Sequence, residues 1–163
     1  MTLQKYIESL PEKTQIILAI KLIKLALPLW ENYAYKNDLF YRDTVVGLPH
    51  SVDKKLLETT IDTIEKYQES NKLKKTSTGK GELLRLRSLF DDPVVALQDN
   101  DWDLPDEIRL IFYSVYNLID TFLGNDQSSM YVSINQSVDA LETSKVLTSD
   151  EIRKMLYEIN IVI

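Results

Sequence analysis

An all-α fold, a single-domain bundle of six or seven helices, is what this sequence predicts, on three observations. Apolar residues recur at spacings of three and four along most of the chain, the period of a helix with one buried face. Four glycines and five prolines in 163 residues are too few for a fold of many short strands and turns. Hydrophobic residues at 44% and charged residues at 27% describe an ordinary globular chain that can build one core. The domain is read as 1–163, with an exposed lysine-rich loop at 71–81.

The elements follow in order. Ser9-Leu10-Pro11-Glu12 reads as a capping box opening a long helix. Ile16, Ile20, Ile23, Leu27 and Trp30 form its apolar ridge, and only Lys13, Lys21, Lys24 and Glu31 give it a polar stripe. Such a helix is surrounded by others, and Pro28 removes one backbone donor and kinks it near Lys24. Gly47-Leu48-Pro49 breaks the chain, and Ser51 caps a helix through Val52, Leu56, Ile61, Ile64 and Tyr67. The stretch 71–81 has two glycines, four lysines and no apolar period, hence a loop. A short helix over 82–90 buries Leu83, Leu86 and Phe90, and Asp92-Pro93 starts one or two further turns.

Asp103-Leu104-Pro105-Asp106-Glu107 starts the best-specified helix, since acids and proline both suit a first turn, and Gly124 stops it. Ile108, Ile111, Phe112, Val115, Leu118, Ile119 and Phe122 are its buried face. A further helix over 127–142 runs through Met130, Ile134, Val138 and Leu141, weakened by serines including Ser133 and Ser137. Thr148-Ser149-Asp150-Glu151 is a second capping box, opening a helix through Ile152, Met155 and Leu156. The apolar end 160–163 is expected in the core or an interface. No export signal or membrane span is legible, so a cytoplasmic location is expected.

Most catalytic chemistry is excluded. Without cysteine there is no disulfide, thiolate nucleophile or zinc–thiolate site. His50 is the only histidine, next to the helix-starting Ser51, with no partner to make it a base. Arg42 precedes it by eight positions, but Gly47 and Pro49 interrupt the interval, unlike the arginine–histidine motif within a helix of HEPN-type nucleases. Asp99-Asn100-Asp101-Trp102-Asp103 alternates acids as a calcium loop does, yet Leu104 stands where the turn glycine belongs and Leu110 where the bidentate glutamate belongs. Gly79-Lys80-Gly81 lacks the spacing and hydroxyl of a phosphate loop. No catalytic residue, cofactor or metal site is assigned, and the chain is expected not to be an enzyme.

The charge is unevenly distributed. The formal net charge of −6 argues against a general nucleic-acid binder. Through Gly81 the chain carries thirteen bases and ten acids; from Glu82 onward it carries six bases and fifteen acids. Asp91, Asp92, Asp99, Asp101, Asp103, Asp106 and Glu107 fall within seventeen residues that hold no lysine or arginine. Like charges so close repel, so the run is either screened by water or retained because something basic docks there. Asp92, Asp103, Asp106 and Glu107 have a structural use as caps and dipole partners, which leaves Asp91, Asp99, Asp101 and Trp102 less explained. Trp102 is either a core anchor that pins the loop or the apolar centre of a binding patch.

The stretch from Ile17-Leu18-Ala19 to Leu27-Pro28-Leu29-Trp30-Glu31-Asn32-Tyr33, followed by Gly47-Leu48 and the Ser51 helix, resembles helical immunity proteins of bacterial polymorphic-toxin and contact-dependent inhibition systems. The resemblance implies a cytoplasmic antidote that binds a cognate toxin domain and blocks its active site or substrate groove without catalysis. Acidity suits that role: a nuclease-like toxin presents a basic cleft, and carboxylates can take the place of phosphates. Asp91 to Glu107 is then the expected surface, with Trp102 as anchor. The alternative is a helical adaptor or regulatory domain that docks through Trp30, Tyr33, Tyr35, Phe40 and Tyr41, or self-associates as a homodimer through an apolar helix face.

Overall fold

The apolar ridge of residues 16–30 lies at the centre of the molecule. The computed structural model describes residues 2–43, 45–69, 77–124 and 129–162. Among them are seven helices and one small two-stranded hairpin: α1 (Leu3–Ser9), α2 (Glu12–Lys36), β1 (Phe40–Arg42), β2 (Pro49–Ser51), α3 (Leu56–Glu69), α4 (Ser77–Gln98), α5 (Asp106–Leu123), α6 (Ser129–Thr143) and α7 (Ser149–Val162). α2 packs against α3, α5, α6 and α7, and α5 against α2, α3, α4 and α6. This is the single-domain all-α bundle the sequence predicts. No helix among the described residues is long and apolar enough to cross a membrane.

Every ridge residue of α2, from Ile16 to Trp30, is buried, as are Ile108, Ile111, Phe112, Val115, Leu118 and Ile119 of α5. Each such side chain contributes about 1.5–3 kcal/mol of transfer free energy, which is why the period of three and four locates the core. Trp30 is fully buried, tilted against Phe112 at 5.7 Å, and its indole N–H donates to the Lys54 carbonyl at 3.0 Å. α5 and α6 approach through small residues. The Ser133 hydroxyl donates to the Ser114 carbonyl at 2.7 Å, and the Ser114 hydroxyl donates to the Ser133 carbonyl at 2.8 Å. Ser137 lies 2.5 Å from the Ser114 hydroxyl, so these fully buried serines satisfy one another. The serines that weaken α6 in isolation thus join it to α5.

Several local expectations are corrected. Ser9 is not a cap: it ends α1, itself capped by Thr2, and its hydroxyl donates to the Tyr6 carbonyl. Pro11 occupies the N-cap position of α2, and the helix runs through Pro28 to Lys36. Ser51 closes a strand rather than opening a helix. The start of α3 is set by Asp53, whose carboxylate accepts from the Lys55 amide at 2.9 Å. Much of the expected loop at 71–81 lies outside the described residues, but Gly79, Lys80 and Gly81 belong to α4. Asp92 is no cap, because α4 continues through Pro93 to Gln98. Proline disfavours a helical residue before it; burial of Phe90, Val94 and Leu97 along one face outweighs that cost. Pro105, not Asp103, stands at the α5 N-cap. The side chains of the apolar end 160–163 lie outside the described residues.

Other signals are met. Gly124 ends α5 in the left-handed region at φ +73°. The Thr148 amide donates to the Glu151 carboxylate at 2.8 Å and the Glu151 amide to the Thr148 hydroxyl at 3.3 Å, a reciprocal capping box at α7. On α6 the Asp139 carboxyl is raised above the usual carboxylate range, first by burial and then by Glu142. Folding therefore favours its protonated form. The linked stabilisation is complete below the pKa of the unfolded chain and is lost as pH rises through the folded-state pKa. Asp139→Asn is expected to melt above wild type at pH 7 and level with it below the usual carboxylate range, as read by thermal melts at both pH values; a gain of equal size at both would contradict this.

Candidate functional site

The chemistry-bearing residues gather where the hairpin meets the carboxyl end of α4. β1 and β2 pair antiparallel with Tyr41 opposite His50, and the turn between them is shaped by Asp43. The Asp43 carboxylate accepts from the amides of Val45 and Val46 at 2.7 and 3.2 Å, and Gly47 adopts φ +68°, which a side chain would resist. The tip of the turn is apolar and open to solvent. Val45 is 91% exposed, with Val46 and Leu48 also exposed beside it.

Across from the tip, α4 ends in a Schellman-type stop. Asn100 takes φ +61°, the Asp101 amide donates to the Ala96 carbonyl at 2.8 Å, and the Asn100 amide donates to the Leu97 carbonyl at 3.4 Å. The chain then turns inward and seats Trp102 in the core. Trp102 is 6% exposed, edge-on to Phe112 at 5.6 Å and tilted against Tyr41 at 5.9 Å. Of its two readings, burial favours the anchor that pins the loop; the ring does not stand at the surface for a partner.

The cleft between hairpin and α4 has a volume of about 250 Å³ and is lined by Tyr41, Asp43, Val45, His50, Asp92, Val95, Ala96, Asp99 and Asp101. Asp92, Val95, Ala96 and Asp99 share one helix face at i, i+3, i+4 and i+7. Asp99 and Asp101 follow the last turn of α4, where the carbonyl dipoles already carry negative charge, so no dipole benefit accounts for them. Among the described residues no three acidic or histidine side chains are placed to hold a metal ion. The acids line a wall instead of converging on a point.

The seven acids of the run therefore separate. Asp92, Asp99 and Asp101 line the cleft. Asp91 pairs with Arg87 one turn earlier at 3.4 Å, and Arg87 also bonds Asp120 at 2.7 Å and the Tyr116 hydroxyl at 3.0 Å, tying α4 to α5. Asp106 and Glu107 occupy the first turn of α5, where the dipole favours them, and Asp106 accepts from Arg109; Asp103 is exposed just ahead of that turn.

The hairpin supplies what the sequence did not assign: Asp43, Val45 and His50 join the acids only by folding. His50 lies on β2, exposed, with its ring stacked on Tyr41 at 5.2 Å. Of the aromatic region, Trp30 and Tyr41 are core, Tyr33 is half-buried, Phe40 is exposed and Tyr35 is 86% exposed. The Gly47 turn between two short polar–aromatic runs was the available signal for a hairpin. No protein-family model, curated protein or solved structure matches the chain, so the reading of the site rests on its own geometry.

Proposed function

We propose that the chain is an immunity protein that binds a cognate bacterial toxin domain and neutralises it by covering its basic surface, without catalysis and without touching nucleic acid or membrane. The observation that carries this reading is the juxtaposition of an exposed apolar tip, Val45 and Val46, with a cleft lined by four aspartates. Apolar residues that can be desolvated supply binding energy at an interface, and surrounding carboxylates steer and select a basic partner. The resemblance of the α2 sequence to helical immunity proteins points the same way. The cytoplasm of the toxin-producing cell is the place for such an antidote.

A second reading rests on Tyr35, whose exposure suits a helical adaptor that docks an aromatic side chain into its partner. Capture from native cells with tagged wild type, a Val45→Ser/Val46→Ser variant and a Tyr35→Ser variant separates the two. The immunity reading expects a basic toxin domain whose affinity falls tenfold or more in the valine variant, with an unchanged melting temperature, because both side chains are exposed. An acidic or regulatory partner lost only in the tyrosine variant would replace it with the adaptor.

A further inference from the structure

The ladder between β1 and β2 fixes which main-chain groups of the hairpin face outward. The Val52 amide donates to the Leu39 carbonyl at 2.8 Å and the Asp43 amide to the Leu48 carbonyl at 3.1 Å, so residues 39 with 52 and 43 with 48 are hydrogen-bonded pairs. Such pairs alternate along an antiparallel ladder, which makes Tyr41 with His50 the one between them and leaves Phe40 with Ser51 and Arg42 with Pro49 as the non-hydrogen-bonded pairs. The N–H and C=O groups of Phe40 and Arg42 therefore point away from β2. No strand lies beyond β1, and no described residue hydrogen-bonds these four groups. The opposite edge is blunted, because Pro49 on β2 has no N–H to offer.

The side chains along this open edge alternate. Leu39 and Tyr41 are buried, whereas Asp38, Phe40 and Arg42 are exposed and share the outer face, Phe40 with 47% of its surface in water. Asp38 and Arg42 have no ion pair among the described residues; one Arg42 nitrogen donates to the Gly47 carbonyl at 3.3 Å. Charged side chains ordinarily protect an edge by repelling a like strand. Here the order is acid, aromatic, base, and a second copy of β1 laid antiparallel and centred on Phe40 meets opposite charge at both ends. Centring on Arg42 would set two guanidinium groups against each other, and centring on Tyr41 would place Arg42 against Phe40 with no acid opposite it.

We infer that β1 pairs with β1 of a second copy across a twofold axis at Phe40, joining two hairpins into one four-stranded antiparallel sheet. The two Phe40 residues form a hydrogen-bonded pair with their rings side by side on the outer face, and each Arg42 stands opposite Asp38 of the other copy. The contact is isologous and stops at two copies, because each outer edge of the new sheet carries Pro49. Antiparallel strands send their turns in opposite directions, so Val45 and Val46 of the two copies project from opposite ends of the sheet and stay accessible. The pairing goes beyond the toxin-binding reading and does not rest on it. A few main-chain bonds, one aromatic pair and two ion pairs make a small interface, so a dissociation constant of about 10 μM or weaker is expected.

Sedimentation of the whole chain at low salt, from about 1 μM to 1 mM, reads the mass, and amide hydrogen exchange at the two ends of that range reads the site. A monomer–dimer equilibrium is expected, with the Phe40 and Arg42 amides exchanging more slowly at the high concentration. Asp38→Arg and Arg42→Asp, both at exposed positions, should each weaken the dimer about tenfold or more, since like charges then oppose one another, and should melt with wild type. Mixed in equal amounts the two variants should dimerise as wild type does, because one copy then carries two bases where the other carries two acids. A monomer at the highest concentration, single variants that dimerise as tightly as wild type, a mixture of folded variants that stays monomeric, or a wild-type dimer whose Phe40 amide exchanges as fast as in the monomer would overturn the pairing.

Discussion

Replacing Trp102 with alanine is expected to lower the free energy of unfolding by about 3–5 kcal/mol, a large share of what a domain of this size possesses. The side chain lies within 6 Å of two aromatic rings, Phe112 of α5 and Tyr41 of β1, and so couples the hairpin to the core. Removing it empties the space beneath the hairpin and loosens the wall that holds Asp99 and Asp101. Urea unfolding measures the loss; a change under about 1 kcal/mol would show that the ring is not a core anchor. Partner binding lost in this variant reports a collapsed cleft, so Trp102→Phe is the control that keeps an apolar ring in place.

Reversing two charges should act in the opposite sense on stability and binding. In Asp92→Lys/Asp99→Lys the affinity for a basic partner is expected to fall about 100-fold or more at low salt, since like charges then face one another across the interface. Stability should be unchanged or higher. Position 99 follows the carboxyl end of α4, where a cation gains about 0.3–1 kcal/mol from the dipole that an aspartate opposes, and the repulsion among the cleft acids falls. Calorimetric binding and chemical denaturation of the same variant give both values. Unchanged affinity would remove the acids from the interface. Lower stability would show that they serve the fold.

This trade-off separates the acids more sharply than their spacing in sequence does. Asp106 and Glu107 are read correctly from sequence as partners of the α5 dipole, because that role depends on neighbours within one turn. Asp91 is neutralised by Arg87, also within reach of a helical spacing, although the continuity of α4 through Pro93 had to be known first. An aspartate before proline ordinarily caps a helix, and that local pattern predicts a cap at Asp92. Only burial of Phe90, Val94 and Leu97 along a single face keeps that segment helical.

The class of fold, the central place of α2, the buried face and glycine stop of α5, and the capping box of α7 are all legible in the amino-acid order. These depend on contacts within a few residues and on the 3.6-residue period, which a chain carries wherever it is read. Folding in three dimensions is what places Trp102 in the core, pairs Phe40–Arg42 with Pro49–Ser51, and sets Asp43 and His50 with Asp92, Asp99 and Asp101 around one cleft. Residues 43 and 92 are remote in sequence, and no local pattern encodes their meeting. It follows from the packing of Tyr41 on Trp102 and of Trp102 on Phe112, where burial of three aromatic rings brings two distant segments together and leaves their carboxylates lining one cleft.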